Sequence, residues 1–332
     1  MDALTSRIRS AIPTRRQGLD GVAIALPTVL GVAVWPHFIG SSWFFGMWAC
    51  IFLMLRGDQW WLSVIKFVGV AVLGMTAAVL HPYPLFGGLF LAVVAAAAAW
   101  SIRRGFESVY RVIPIVVSLT IVAPEVQFQG RSSAVNIAWI GLMMFSGSLW
   151  TMVCWRGILE RDRPLVKNEE VTTKTAAAFA LVLGVCIGVA GVVILKWWPE
   201  HVAGWTMLTL ILIIQTDAAE TISLGENRIT GTLIGLAIAL MLSPIANYVL
   251  FATAFGTLLF LYAFWWRLFA HRSYRVFVAL LTSAVVLLNS PPKHVDVIAM
   301  DRLVFTLAGV ALAVPAMVMI RILTRNERHA ST

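Results

Sequence analysis

The sequence predicts an all-α fold, a polytopic transmembrane bundle of about twelve helices arranged as two similar six-helix repeats in parallel orientation. Three observations lead there. Hydrophobic residues make up 60% of the 332 and charged residues only 12%, too little polar surface for a soluble chain of this length. Apolar stretches recur with short gaps from Gly18 to Arg321, several of them near the roughly 20 residues that cross a hydrocarbon core. The second half also repeats landmarks of the first in the same order.

Apolar runs and their polar breaks place helices near 18–36, 42–55, 60–80, 84–101, 109–124, 134–155, 174–195, 203–216, 228–248, 249–266, 274–289 and 301–320. The second and eighth are short for a full crossing, which suits shielding by neighbours or a re-entrant path. Arg7, Arg9, Arg15 and Arg16 precede the first apolar run, but no small-residue cleavage site follows. That argues against a removable signal peptide. Cys50, Cys154 and Cys186 stand alone in apolar segments with no paired spacing, as packing residues do rather than disulfide or zinc ligands.

A formal net charge of +9 invites a nucleic-acid reading. With these helix limits, however, almost every Lys and Arg falls on one side of the membrane. Arg131, Lys196, Lys293 and Arg302 are left on the other, and Lys66 lies within a helix. The positive-inside rule then puts both termini in the cytoplasm and accounts for the charge without nucleic acid.

The duplication is read at an offset of 162 to 164 residues. Gly21-Val22-x-Ile24 recurs as Gly184-Val185-x-Ile187, and Trp35-Pro36 as Trp198-Pro199. Trp43, Gly69, Pro82 and Gly147 recur as Trp205, Gly231, Pro244 and Gly309. Arg103 recurs as Arg267, and Tyr110-Arg111-Val112 as Tyr274-Arg275-Val276. The expected organisation is a first repeat over 1–155, a basic cytoplasmic linker over 156–173 and a second repeat over 174–332. An even number of helices per repeat preserves orientation. Duplicated bundles are a common transporter architecture, with a pathway between the halves, although membrane enzymes and scaffolds use repeats too.

Candidate site residues are the cations that the repeat duplicates. Lys66 precedes Gly69 and Gly74, and Arg228 precedes Gly231 and Gly235, small residues suited to close helix packing. Each cation sits where it meets an anion in a pathway, or where it snorkels to the interface. Tyr110-Arg111 and Tyr274-Arg275 open the fifth helix of each repeat. As a pair they suit bidentate carboxylate recognition, and singly they suit interfacial anchoring. Asp217 and Glu220 are three apart and share a helical face, fit for proton coupling or for an ion pair with Arg228. His37 and His201, each just after a Trp-Pro, read as interfacial hydrogen-bonding groups. No Walker loop, HExxH, nucleophile elbow or dinucleotide fingerprint is present in the sequence. Neither enzymatic activity, cofactor nor metal is therefore expected.

The Arg228-x-x-Gly231-Thr232-x-x-Gly235 segment after Asn227, the Lys66-x-x-Gly69 segment, the two Tyr-Arg openings and the six-helix unit resemble the fusaric acid resistance (FUSC) or aromatic acid exporter superfamily. The resemblance implies an inner-membrane efflux permease in contact with membrane lipid. It further implies export of small organic anions such as aromatic carboxylates, often with a periplasmic membrane-fusion adaptor. A passive anion channel and an accessory subunit of an efflux assembly are the alternatives. The short linker leaves no room for the soluble domain that often follows the six-helix unit, and Lys replaces Arg at position 66.

Overall fold

A computed structural model describes residues 12–34, 41–55, 58–106, 110–122, 124, 133–162, 170–198, 203–268, 273–289 and 295–328. The described residues are helical with no strand. In the first half the helices are α1 (Arg15–Val34), α2 (Ser41–Leu53), α3 (Trp60–Leu80), α4 (Pro84–Trp100), α5 (Val112–Val122) and α6 (Ser133–Asp162). In the second they are α7 (Thr173–Trp197), α8 (Gly204–Ile213), α9 (Ala218–Met241), α10 (Val249–Leu268), α11 (Tyr274–Asn289) and α12 (Val295–Arg328). A 3-10 turn over Ser101–Arg104 ends at Gly105, whose φ of 73° is left-handed backbone that glycine adopts without a Cβ clash.

Six segments are long and apolar enough to cross a membrane: Trp60–Leu80, Pro84–Arg104, Ser133–Arg156, Thr173–Trp197, Val249–Leu268 and Val295–Thr324. This is a membrane protein. The short helices α2, α5, α8 and α11 behave differently. At about 1.5 Å per residue the longest of them reaches only about 24 Å, short of a roughly 30 Å hydrocarbon core. They are also largely apolar and buried along most of their length, which marks helices surrounded by protein rather than lipid. They are the second and fifth helices of each sequence half.

The helices cluster into two compact units that cut across the sequence halves. One unit holds Met1–Ile39, Met152–Arg163 and Glu226–Leu303, and the other Gly40–Thr151, Pro164–Gly225 and Val304–Thr332. In the larger unit α5 is the hub, touching α2, α3, α4 and α8. There α4 crosses α7 on a small-residue seam. A Cβ on Gly188 would lie 2.8 Å from the Ala92 Cβ and 3.1 Å from the Gly88 carbonyl oxygen, and one on Gly184 would lie 2.9 Å from the Ala92 carbonyl. In the smaller unit α10 packs on α1 and on α11, with Trp265 Nε1 donating to Gln17 Oε1 at 3.0 Å. The first helix of one half thus lies on the fourth helix of the other in both units.

Several element limits differ from the sequence expectation, two of them at helix starts that move an arginine. Helix α9 begins at Ala218, ten residues before Arg228, because Asp217 caps it by accepting from Ala219 N at 3.0 Å. Helix α12 begins at Val295, so Arg302 lies in its second turn and is fully buried rather than at the membrane edge. His37, His201 and residues 163–169 lie outside the described residues, while α6 runs on to Asp162, so the first part of the expected 156–173 linker is helix.

The glycines separate likewise. Gly231 and Gly235 press on α11, where a Cβ would come within 2.6 Å of the Arg275 carbonyl oxygen and 2.5 Å of that of Ala279. Gly74 abuts the Met144 side chain, whereas Gly69 faces open space and makes no close approach, contrary to the packing role expected of it. Gly188→Leu is expected to lower the thermal stability of the detergent-solubilised protein by about 1–3 kcal/mol through overpacking. Gly69→Leu, measured in the same thermal unfolding experiment, is expected to leave it unchanged.

Candidate functional site

The two cations placed in the larger unit are spent on the ends of short helices. Lys66, on the second turn of α3, pairs with Asp58 at 2.6 Å, their side chains only 15% and 13% exposed. Its Nζ also donates to the carbonyl of Leu53, the last residue of α2, at 3.0 Å. Asp58 Oδ2 in turn accepts from Leu55 N at 3.1 Å. This closes a loop in which a cation answers the unpaired carbonyl end of α2.

Arg111 does the same for α8. Its Nη1 donates to the carbonyls of Ile211 at 3.0 Å and Leu212 at 3.3 Å, and its Nη2 to that of Ile214 and to Gln215 Oε1, both at 2.9 Å. The guanidinium also lies 5.8 Å from the centre of the Phe179 ring. The chain turns extended at Ile214, with ψ of 121°, so those carbonyls have no next helical turn to accept from. The planar fork reaches several oxygens at once, which a lysine cannot do. The partners in hand are backbone carbonyls, where the sequence expectation has a substrate carboxylate.

In the smaller unit Arg275 is exposed, its Nε donating to Asn227 Oδ1 at 3.1 Å. Tyr110 and Tyr274 are both half-buried at the start of the fifth helices. Tyr274 stacks under Arg267, 5.6 Å from guanidinium carbon to ring centre, and its hydroxyl is buried with no hydrogen-bond partner among the described residues. Asp217 and Glu220 are exposed on the first turn of α9, with Asp217 occupied as a cap.

Arg228 stands apart from all of these. It is 0% exposed, and none of its three guanidinium nitrogens has a hydrogen-bond partner among the described residues. Local chain geometry explains the contrast with Lys66, which stands 162 residues earlier. Asp58 stands eight residues before Lys66 and precedes α3, so the loop folds it back onto the ammonium. Glu220 stands eight residues before Arg228 within one continuous helix, about 12 Å along the axis and out of reach.

Around Arg228 the chain builds a core stripe. Thr232, Leu236 and Ala239 follow it at helical spacing, and Leu236 and Ala239 pack in one cluster with Val286, Leu287, Val295 and Ala299. Val295, Ala299 and Arg302 form the matching stripe on α12. Arg302 is also 0% exposed, and it lies within electrostatic range of both Arg228 and Tyr274. Sequence reading missed Arg302 by placing it at a helix edge. A signal that finds it is the 162-residue offset: at that distance before it stands Ile140, so a charge stands where the earlier segment is apolar.

Asp20 was also missed. It lies on α1 with Oδ2 buried and unpartnered among the described residues. Nearby on the same helix, Gln17, Gly18 and Gly21 join Trp155, Tyr262 and Trp265 around an aromatic-lined cavity. Among the described residues no cluster of three His, Cys, Asp or Glu side chains suits a metal ion.

Arg111→Ala is expected to destabilise the fold by roughly 1.5–3 kcal/mol, the range for hydrogen bonds to a charged group. Arg275→Ala, which removes one exposed contact, is expected to cost under about 0.5 kcal/mol. Thermal unfolding in detergent distinguishes the two.

No curated protein and no solved structure matches the chain. A family model described as fusaric acid resistance protein-like matches residues 188–316, a span that contains α8 to α11 and both buried arginines. Over those residues the chain is therefore similar to the fusaric acid resistance protein-like family.

Proposed function

We propose that this protein is an inner-membrane permease that exports small organic anions, aromatic carboxylates among them, and that it has no enzymatic activity. The observation that carries the reading is Arg228, a guanidinium wholly enclosed in an apolar helix bundle with its nitrogens unpartnered among the described residues. An unpaired buried charge costs several kcal/mol. Intramembrane cations that a protein keeps at such cost mark ion and substrate pathways. The match of residues 188–316 to a FUSC model supports the same reading, as does the aromatic-lined cavity near Trp155, Tyr262 and Trp265.

The expected duplication of six-helix repeats belongs to this proposal, as do cytoplasmic termini and a periplasmic membrane-fusion adaptor. Three local parallels support the repeat. The first helix of each half packs on the fourth of the other. Tyr110-Arg111 and Tyr274-Arg275 both stand at the start of a fifth helix. A Cβ on Gly147 would meet the Trp43 carbonyl oxygen at 2.5 Å, and one on Gly309 that of Thr206 at 2.9 Å, each beside the second helix of its half.

Proteoliposomes carrying the purified chain are expected to take up radiolabelled benzoate, faster when a proton gradient is imposed. Flux that follows only membrane potential identifies a passive channel, and no flux identifies an accessory subunit. Arg228→Gln is expected to lower uptake at least about tenfold, the equivalent of about 1.4 kcal/mol. Arg321→Gln, at an exposed position on α12, is expected to leave uptake unchanged.

A further inference from the structure

The smaller unit contains a cavity of about 180 Å³, walled by α1, the last turns of α6 and α10, all within that unit. On α10, Leu258, Leu261, Tyr262 and Trp265 line it at positions i, i+3, i+4 and i+7, one face of the helix. Helix α1 contributes Gln17, Gly18 and Gly21, and α6 contributes Trp155, which is buried.

The two glycines leave space. A Cβ on Gly18 or Gly21 would meet nothing within 4 Å. The glycines at helix crossings behave the other way, since a Cβ on Gly184, Gly188, Gly231 or Gly235 would come within 3.1 Å of a facing backbone oxygen. Glycine weakens a helix relative to alanine, and on α1 no close helix approach offsets that loss. What the two glycines provide instead is width in the cavity.

The aromatic walls are held in place by the protein itself. Trp265 Nε1 donates to Gln17 Oε1 at 3.0 Å, and the same oxygen accepts from Thr14 N at 2.9 Å. Gln17 N in turn donates to Thr14 Oγ1 at 3.3 Å, so the wall is tied to the capped start of α1. Tyr262 stacks on Trp265 with ring centroids 5.6 Å apart and planes 20° from parallel. Rings fixed in this way offer faces and edges to a further ring at little cost in ordering.

Size and chemistry select the guest. An apolar cavity of roughly 150 Å³ takes up one benzene, so about 180 Å³ suits a single aromatic ring with a small substituent. None of the described residues that line it is charged. Gly18 and Leu258 are exposed at its open side, where a substituent finds room.

We propose that this cavity binds one planar aromatic ring, neutral or anionic, recognised by its π system and its fit and not by a charge. Arg228 is not among the lining residues, and the assignment does not rest on the permease reading.

The test is equilibrium dialysis of radiolabelled benzyl alcohol against the full chain in detergent, with protein-free micelles as the blank. Benzyl alcohol is expected to bind saturably at one molecule per chain, and benzoate to displace it. Cyclohexylmethanol, similar in size but without a π system, is expected to displace it roughly 2- to 13-fold less well, the equivalent of one aromatic contact. Hexan-1-ol, standing in for a lipid chain, is expected to do no better than cyclohexylmethanol. Gly21→Leu fills the space and is expected to weaken benzyl alcohol at least about tenfold. Its melting temperature is expected to stay at or above that of the wild type, because the added Cβ meets no neighbour and leucine favours a helix. Should Gly21→Leu fail to fold, Gly18→Leu carries the same expectations. Tyr262→Leu keeps the wall apolar and is expected to lose the preference for benzyl alcohol over cyclohexylmethanol, which a purely structural role would leave in place.

The proposal is overturned if benzyl alcohol does not bind above the micelle blank, or if folded Gly21→Leu and Gly18→Leu bind it like the wild type. Cyclohexylmethanol or hexan-1-ol binding as tightly as benzyl alcohol also overturns it, and identifies a groove for lipid chains. Binding of benzoate without benzyl alcohol does the same, since charge is then the feature recognised. Benzoate uptake by proteoliposomes of the same variants bears on the permease reading alone.

Discussion

The structure depends on one constraint: backbone carbonyls at the ends of short helices inside the membrane have no water to bind and must find donors within the protein. Helices α2, α5, α8 and α11 are too short to cross alone and are buried along most of their length, so their ends fall where only protein can satisfy them. Lys66 answers the end of α2 and Arg111 the end of α8. The long helices α3, α4, α6, α7, α10 and α12 keep exposed apolar surfaces, while the short ones are buried within their own units.

Helix approach is governed by the same economy of space. Little hydrophobic force separates helix from lipid, so close packing must do the work of association. The α4 and α7 seam brings Gly88 and Ala92 onto Gly184, Gly188 and Gly191, and α9 lies on α11 through Gly231 and Gly235. Ser283 fastens the second of these contacts by donating to the Gly235 carbonyl at 2.8 Å. A Cβ at either glycine would reach the facing backbone, so this surface of α9 is set by the absence of side chains. Arg228 lies three residues before Gly231, on the stripe that continues through Thr232, Leu236 and Ala239.

Much of this was legible in the sequence, for reasons that can be named. The apolar runs and their polar breaks gave helix positions because a hydrocarbon core fixes both length and composition. The Tyr-Arg openings and the short second and eighth helices were visible because they recur at a constant offset. What was not legible depended on tertiary partners. Polarity around Asp217 reads as a loop, yet the residue caps α9 and carries that helix ten residues further back, so Arg228 changes from an interfacial residue to one in mid-helix. Arg302 next to Asp301 reads as a loop edge until α12 is seen to begin at Val295. The acceptors of Arg111 lie about a hundred residues away, and no local pattern announces them.

Similar residue pairs in different surroundings are informative, since a difference in their fate requires a cause. Lys66 and Arg228 stand 162 residues apart, and so do Asp58 and Glu220. In the first half a break before α3 lets acid and base meet, and the charge is neutralised. In the second half helix α9 runs straight through, the acid stays exposed at its first turn, and the base is carried about 12 Å away into the core. A second arginine then stands near it where the first half has Ile140. Each change alone would merely destabilise the bundle. Together they give one half a closed, neutral support and the other an arginine enclosed in the core.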